Sequence, residues 1–249
     1  MEKLMLDPSD FVGVSFWIIS AAMVAATFFF WVERDRAVGK WKTSLTVAAM
    51  VTGIAAIHYF YMREVWVLTG ESPTVFRYVD WLLTVPLQIV EFFLILAAIT
   101  LVRASLFWKL LIGSLVMLIA GFLGEVRAEY VGVDAMVWVW FAIGMAGWLY
   151  IIYEIFSGEA SRLSNQYGTV ASKKAFNALR WIVTVGWSIY PLGYVLGYMG
   201  IGDAAALNII YNLADFLNKI AFGVVIWAAA TGADAGDRVV VTDDERIVT

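Results

Sequence analysis

The polar and apolar positions of this chain do not alternate; they separate into long apolar blocks divided by short polar breaks. A membrane-crossing helix needs roughly 20 apolar residues, and seven blocks of about that length stand out. They run from Phe11 to Val32, Thr43 to Met62, Thr74 to Thr100, Ser105 to Leu123, Ala135 to Phe156, Ala175 to Met199 and Ala205 to Ala230. A transmembrane barrel would instead show ~10-residue segments of alternating character. The pattern therefore predicts an all-α, seven-transmembrane-helix bundle over residues 1–230, followed by an acidic cytoplasmic tail over 231–249. The connections are short, the longest being Gly158–Ser172, and no repeat marks a second domain.

Composition agrees. Of 249 residues 62% are apolar and 15% charged, and mean hydropathy is +0.79, far from the roughly 25% charged of a soluble domain. The absence of cysteine excludes disulfides and thiolate chemistry, and a single histidine argues against a histidine metal centre. A net charge of −4 leaves no footprint for nucleic acid.

Lys and Arg set the orientation. The first, third and fifth connections carry Arg34, Arg36, Lys40, Lys42, Arg103, Lys109, Arg162, Lys173 and Lys174; the even ones carry only Arg63 and Arg127. This places the N-terminus outside and the C-terminus in the cytoplasm. No charged-apolar-small leader precedes Phe11, so span one is expected either to insert by itself or to follow a leader outside this numbering.

Charges inside spans are costly and therefore informative. Span three holds Arg77, Asp80 and Glu91, span seven Asp215 and Lys219, and span two His58. At 100° and 1.5 Å per residue, Asp80 and Glu91 lie about 20° off a common face and about 16 Å apart. Arg77 and Thr84 sit one turn to either side of Asp80. Asp215 and Lys219 are an i, i+4 pair and so neighbours on one stripe. Two carboxylates at different depths with an amine between them suit proton movement along the membrane normal. A buried structural ion cluster of Arg77, Asp80, Asp215 and Lys219 is the alternative, but Glu91 has no cation near it in its own span. Desolvation favours the neutral acid there, as a proton donor requires. Trp81, Trp148, Trp187 and Tyr190 offer flat apolar walls, and a lysine at the end of such a slot can hold a polyene aldehyde as a Schiff base.

The stretch Arg77-Tyr78-Val79-Asp80-Trp81-Leu82-Leu83-Thr84-Val85-Pro86-Leu87-Gln88-Ile89-Val90-Glu91 resembles the third helix of the microbial (type 1) rhodopsins. Trp187-Ser188-Ile189-Tyr190-Pro191 resembles their sixth helix, and Asp215-Phe216-Leu217-Asn218-Lys219 their seventh. The pattern Asp80, Thr84, Glu91 is that of the proteorhodopsins, and Gln88 is similar to the blue-absorbing group. The resemblance implies a light-driven outward proton pump, a transporter and not an enzyme. It implies all-trans retinal on Lys219 as a protonated Schiff base, with Asp80 as counterion and proton acceptor, Asp215 as second counterion and Glu91 as proton donor. Arg77 would lie in the extracellular path, Thr84 and His58 would hydrogen-bond Asp80, and Gln88 would tune colour. Trp81, Met117, Trp148, Trp187 and Tyr190 would line the chromophore. Glu125 is the nearest acidic residue to the outer end of span four, with an open role.

The resemblance further implies a homo-pentamer or homo-hexamer in the bacterial inner membrane, with His58 meeting Trp17 of a neighbouring protomer. The run Glu33-Arg34-Asp35-Arg36 is either an intersubunit ion-pair site or a solvated turn. Phe141 stands where antenna-binding relatives carry glycine, so no carotenoid antenna is expected. A photosensor is the competing function; sensors commonly lack a carboxylate where Glu91 sits.

Overall fold

Asp10 starts the first helix. Its carboxylate accepts the Gly13 amide at 2.9 Å and the Trp66 indole N–H at 3.0 and 3.1 Å, so one side chain caps a helix and ties it to its neighbour. The computed structural model describes residues 5–201 and 203–232; the acidic tail expected from the sequence lies, from 233 onward, outside the described residues. The helices are α1 (Phe11–Glu33), α2 (Lys40–Thr69), α3 (Thr74–Ala97), α4 (Ala104–Tyr130) and α5 (Ala135–Phe156). They are followed by α6 (Glu159–Tyr167), α7 (Val170–Trp181), α8 (Ile189–Tyr198) and α9 (Ala204–Thr231). No strand occurs among the described residues.

Caps follow the sequence. Asp134, Thr169 and Asp203 accept backbone amides at the starts of α5, α7 and α9, and Gly70, at φ 71°, ends α2 in a left-handed turn. Six of the described helical stretches are long and apolar enough to cross a membrane. The predicted sixth span is not one continuous α-helix. Ile182–Gly186 winds as a π turn between α7 and α8, with the Trp187 amide reaching back five residues to the Ile182 carbonyl at 3.1 Å. Such turns gather at functional sites.

Other spans also differ from their apolar runs. The second helix extends from Lys40 to Thr69 and the fourth to Tyr130, because helical hydrogen bonding continues past the apolar core. The third stops at Ala97, three residues short of the run. The Gly158–Ser172 connection contains α6, whose amide ends at Glu159 and Ala160 are held by the buried Glu154 carboxylate at 2.7 and 3.3 Å.

Packing closes a ring. Consecutive helices α1 to α5 lie side by side and α9 returns to α1 and α2, with α7 and α8 against it. Between α4 and α5 the backbones approach closely at Gly147, where a Cβ would stand 2.8 Å from the Met117 nitrogen, the small-residue packing common within membranes. Exposed side chains such as Phe28, Ile57 and Leu213 put apolar surface outside. Polar groups collect inside: Arg77, Asp80, Thr84, Gln88 and Glu91 line one buried stripe of α3, and Asn208, Asn212, Asp215 and Lys219 one of α9.

Candidate functional site

The i, i+4 spacing on α9 brings Lys219 beside Asp215, and packing brings Asp80 of α3 to the same amine. Lys219 Nζ donates to Asp215 Oδ2 at 2.7 Å and to Asp80 Oδ2 at 2.8 Å, with all three side chains almost fully buried. Charges this deep persist only when paired and hydrogen-bonded.

The two carboxylates are served unequally. Asp215 also accepts from the Tyr59 hydroxyl at 2.8 Å, the Tyr190 hydroxyl at 2.6 Å and the Trp81 indole N–H at 3.2 and 3.3 Å. Asp80 Oδ1 has no hydrogen-bond partner. His58 Nδ1 stands 3.7 Å from it, beyond hydrogen-bond reach, while that nitrogen stands 3.0 Å from the Ile54 carbonyl. Thr84 is bonded to Asp80 through the main chain: its hydroxyl donates to the Asp80 carbonyl oxygen at 2.9 Å, not to the carboxylate.

Arg77 does not join this ion cluster. Its guanidinium donates to Asn208 Oδ1 at 2.8 Å and contacts the Tyr59 oxygen at 3.5 Å, and no carboxylate among the described residues lies within ion-pair distance. Phe16 and Tyr211 present ring faces to it at 5.4 and 5.5 Å, a favourable seat for a cation. Glu91 lies on the other side of the amine along α3, buried, with neither oxygen hydrogen-bonded. The unpaired Ser44 hydroxyl of α2 lies beside it.

Next to Lys219 runs a cavity of about 110 Å³, taken as the space open to the centre of a water molecule. Its walls include Trp81, Gln88, Met117, Trp148, Trp187, Tyr190, Asp215 and Lys219. Trp148 is fixed by its indole N–H to the Val183 carbonyl at 3.0 Å, and Trp81 packs edge-on to Tyr190 at 4.9 Å. Phe141 also lines the cavity and stacks on Tyr194 at 5.0 Å. Gln88 both faces the cavity and donates to the Asn218 carbonyl at 3.2 Å. A second cavity, of about 270 Å³ on the same measure, lies beyond it on the Arg77 side and shares Tyr78, Trp81, Glu125, Tyr194 and Tyr211 with the first. Glu125 accepts a hydrogen bond there from the Tyr198 hydroxyl.

Several of these residues escape sequence reasoning. Tyr59, Asn208 and Asn218 sit in apolar runs and carry no charge to draw attention. Glu154 and Arg180 were available as charges inside predicted spans; the first caps α6, and the second lies over the Phe156 ring at 4.7 Å.

Known proteins agree with this architecture. Residues 10–233 match the sequence profile of the family described as bacteriorhodopsin-like protein. The chain is 59% identical over 228 residues to the blue-light absorbing proteorhodopsin of Gamma-proteobacterium Hot 75m4, covering 90% of this chain and 88% of that one. It is 57% identical over 227 residues to the green-light absorbing proteorhodopsin of Gamma-proteobacterium EBAC31A08, with the same coverage. The crystal structure of blue light-absorbing proteorhodopsin from Med12 superposes with a TM-score of 0.75 at 58% identity, over 89% of this chain and 98% of that one. With the match running from the first crossing to the end of the last, this chain belongs to the bacteriorhodopsin-like family, the microbial rhodopsins.

Proposed function

We propose that this multi-pass membrane protein works as an outward light-driven proton pump in a bacterial inner membrane, with all-trans retinal carried on Lys219. The family implies the retinal chromophore, and the site suits it. A narrow cavity walled by Trp81, Trp148, Trp187 and Tyr190, with a buried primary amine on its wall, fits a slim polyene aldehyde. Retinal, when bound at Lys219, would supply light absorption and isomerisation.

The chain's own residues give that proton a direction. The carrying observation is the unequal service of the two carboxylates. Four donor groups hold Asp215 as a fixed anion, whereas Asp80 Oδ1 is free to take a proton while Oδ2 lies 2.8 Å from Nζ. Asp80 is therefore the acceptor. Arg77 and the adjoining cavity with Glu125 lead outward from it. Glu91, buried and free of any cation, holds a proton in the inner half and returns it to Nζ. Thr84 fixes the α3 backbone at Asp80, and His58 stands 3.7 Å from its free oxygen, where a small shift makes a bond.

Gln88, with its amide facing the cavity, supports blue absorption. Phe141 stacked on Tyr194 closes the cavity wall, which favours a pump without a carotenoid antenna. His58 and the half-exposed Trp17 lie toward the outer surface of the bundle, suiting a pentameric or hexameric ring in which they meet across protomers. Glu91 also weighs against a sensor, whose signalling state gains from slow reprotonation. Cells expressing the chain and supplied with retinal should acidify an unbuffered medium in light, and a protonophore should abolish the change. Alkalinisation, or no change from cells that show a visible absorption band, would overturn the reading.

A further inference from the structure

The π turn in the sixth crossing leaves hydrogen bonding that its own backbone does not complete. In a regular α-helix the Tyr190 amide would donate to the Gly186 carbonyl. Here it donates to the Trp187 carbonyl at 3.1 Å, and Pro191, the next residue, has no N–H to offer. The donor comes from another helix: Asn218 Nδ2 of α9 reaches the Gly186 oxygen at 3.0 Å.

The same nitrogen donates to the Tyr190 hydroxyl oxygen at 3.3 Å. Both assignments are chemically forced. A carbonyl oxygen only accepts, so the amide must turn its NH₂ toward Gly186. Tyr190 commits its proton to Asp215 Oδ1 at 2.6 Å, so its oxygen accepts from Asn218. Gly186 permits the approach, since a Cβ there would overlap Asn218 Oδ1. Asn218 is 6% exposed and immediately precedes Lys219.

We infer that Asn218 is a positioning residue that clamps the π turn of the sixth crossing to the Lys219 site and, through Tyr190, sets how strongly Asp215 is neutralised. Hydrogen bonds in a chain polarise one another, so the amide donating into the Tyr190 oxygen makes that hydroxyl a stronger donor to Asp215. Removing the amide leaves Asp215 a harder anion beside Nζ. A harder anion stabilises positive charge localised at Nζ in the ground state, which widens the excitation gap. The colour part of this inference rests on retinal being carried by Lys219.

The test uses retinal-loaded protein in lipid nanodiscs. Asn218→Leu keeps the branched shape and the main-chain carbonyl that Gln88 uses, and removes the donors. Two outcomes are expected: absorption moves to shorter wavelength, and amides 182–190 exchange about fivefold faster for the loss of one net hydrogen bond of ~1 kcal/mol. In a Tyr190→Phe background, Asn218→Leu should no longer move the colour but should still speed exchange, because the colour effect passes through the missing hydroxyl. Asn218→Thr, which keeps a single donor, should fall between wild type and leucine and covers the case in which the leucine variant does not fold. An unmoved spectrum, a shift toward longer wavelength, an equal colour shift in the phenylalanine background, or unchanged exchange would each overturn the clamp. A wild type lacking a visible band would defeat the functional reading instead, and the exchange measurement would still decide the clamp.

Discussion

Glu91→Gln separates the two halves of the proton path. Eleven residues along α3 at 1.5 Å each put position 91 about 16 Å from Asp80. Even a full charge at that distance would act on the Lys219 region by only about 1 kcal/mol at an effective dielectric of 20, a small part of the energy of a visible photon. Swapping one neutral group for another does less, so the dark absorption maximum should hardly move. Neither Glu91 oxygen is hydrogen-bonded and the amide has nearly the same volume, so folding stability should change by no more than about 1 kcal/mol. Kinetics should respond instead. A positioned acid typically contributes 10²–10⁴-fold to a proton transfer, so after a flash the return of the proton to Lys219 Nζ should slow by about that factor. Flash photolysis at the wavelength that reports the deprotonated Nζ measures it directly, and azide, a small weak acid, should restore the rate by carrying protons into the inner half. Wild-type decay in Glu91→Gln, or a dark spectrum displaced by more than a few nanometres, would refute the placement of the donor.

Lys219→Ala should abolish the visible band and, by leaving Asp80 and Asp215 buried without their cation, lower stability by about 3–5 kcal/mol in thermal unfolding; a surviving acid-stable retinal band would contradict it. Asp80→Asn should absorb at longer wavelength and stop light-driven acidification, and an Asp80→Asn protein that still pumps would remove Asp80 as acceptor. Gln88→Leu should absorb at longer wavelength with pumping retained, checked by spectrum and pH electrode on the same cells. On the exposed α4–α5 connection, hydrogen bonds from Arg127 hold the Asp134 carboxyl down at about 2 against the ordinary 3.8. Its contribution to stability is therefore full above the ordinary value and lost as pH falls through about 2. Arg127→Gln should let Asp134 titrate closer to 3.8, read by NMR of its carboxyl carbon.

How much of this was legible beforehand follows from what each feature depends on. Membrane crossings depend on local apolar content, so the seven runs locate them; helix ends depend on capping and on hydrogen bonding beyond the apolar core, so α2 and α4 outrun their runs. The Asp215–Lys219 pair is written in its spacing. That Asp80 meets the same amine is a contact between helices 139 residues apart in sequence, legible through family resemblance and the cost of unpaired charge. The π turn was not legible, because its hydrogen bonding is completed by Asn218 from α9, and no local pattern announces a partner on another helix. The rest of the Asp215 donor shell was hidden for the same reason: Tyr59 looks like an ordinary packing residue, and Trp81 and Tyr190 like pocket walls only, until the helices assemble.

The half of the bundle on the Glu91 side of Lys219 is closed by rings, and the proposed orientation makes it the inner half. Phe92 packs edge-on against Phe176 at 5.3 Å and Phe222 at 6.3 Å, with Phe30 seated on Gly223, while the outer half is hollowed by the cavity around Arg77. Electrically, the two halves are unequal resistors. A potential falls mainly across the layer that water cannot enter, and each elementary charge crossing 100 mV costs about 2.3 kcal/mol. On the proposed outward direction, in a cell whose interior is negative, that cost would land chiefly on the delivery of a proton from Glu91 to Lys219, and little of it on the exit past Arg77. Turnover of the proposed pump under load should thus be throttled at reprotonation, with the phenylalanine layer carrying most of the voltage drop.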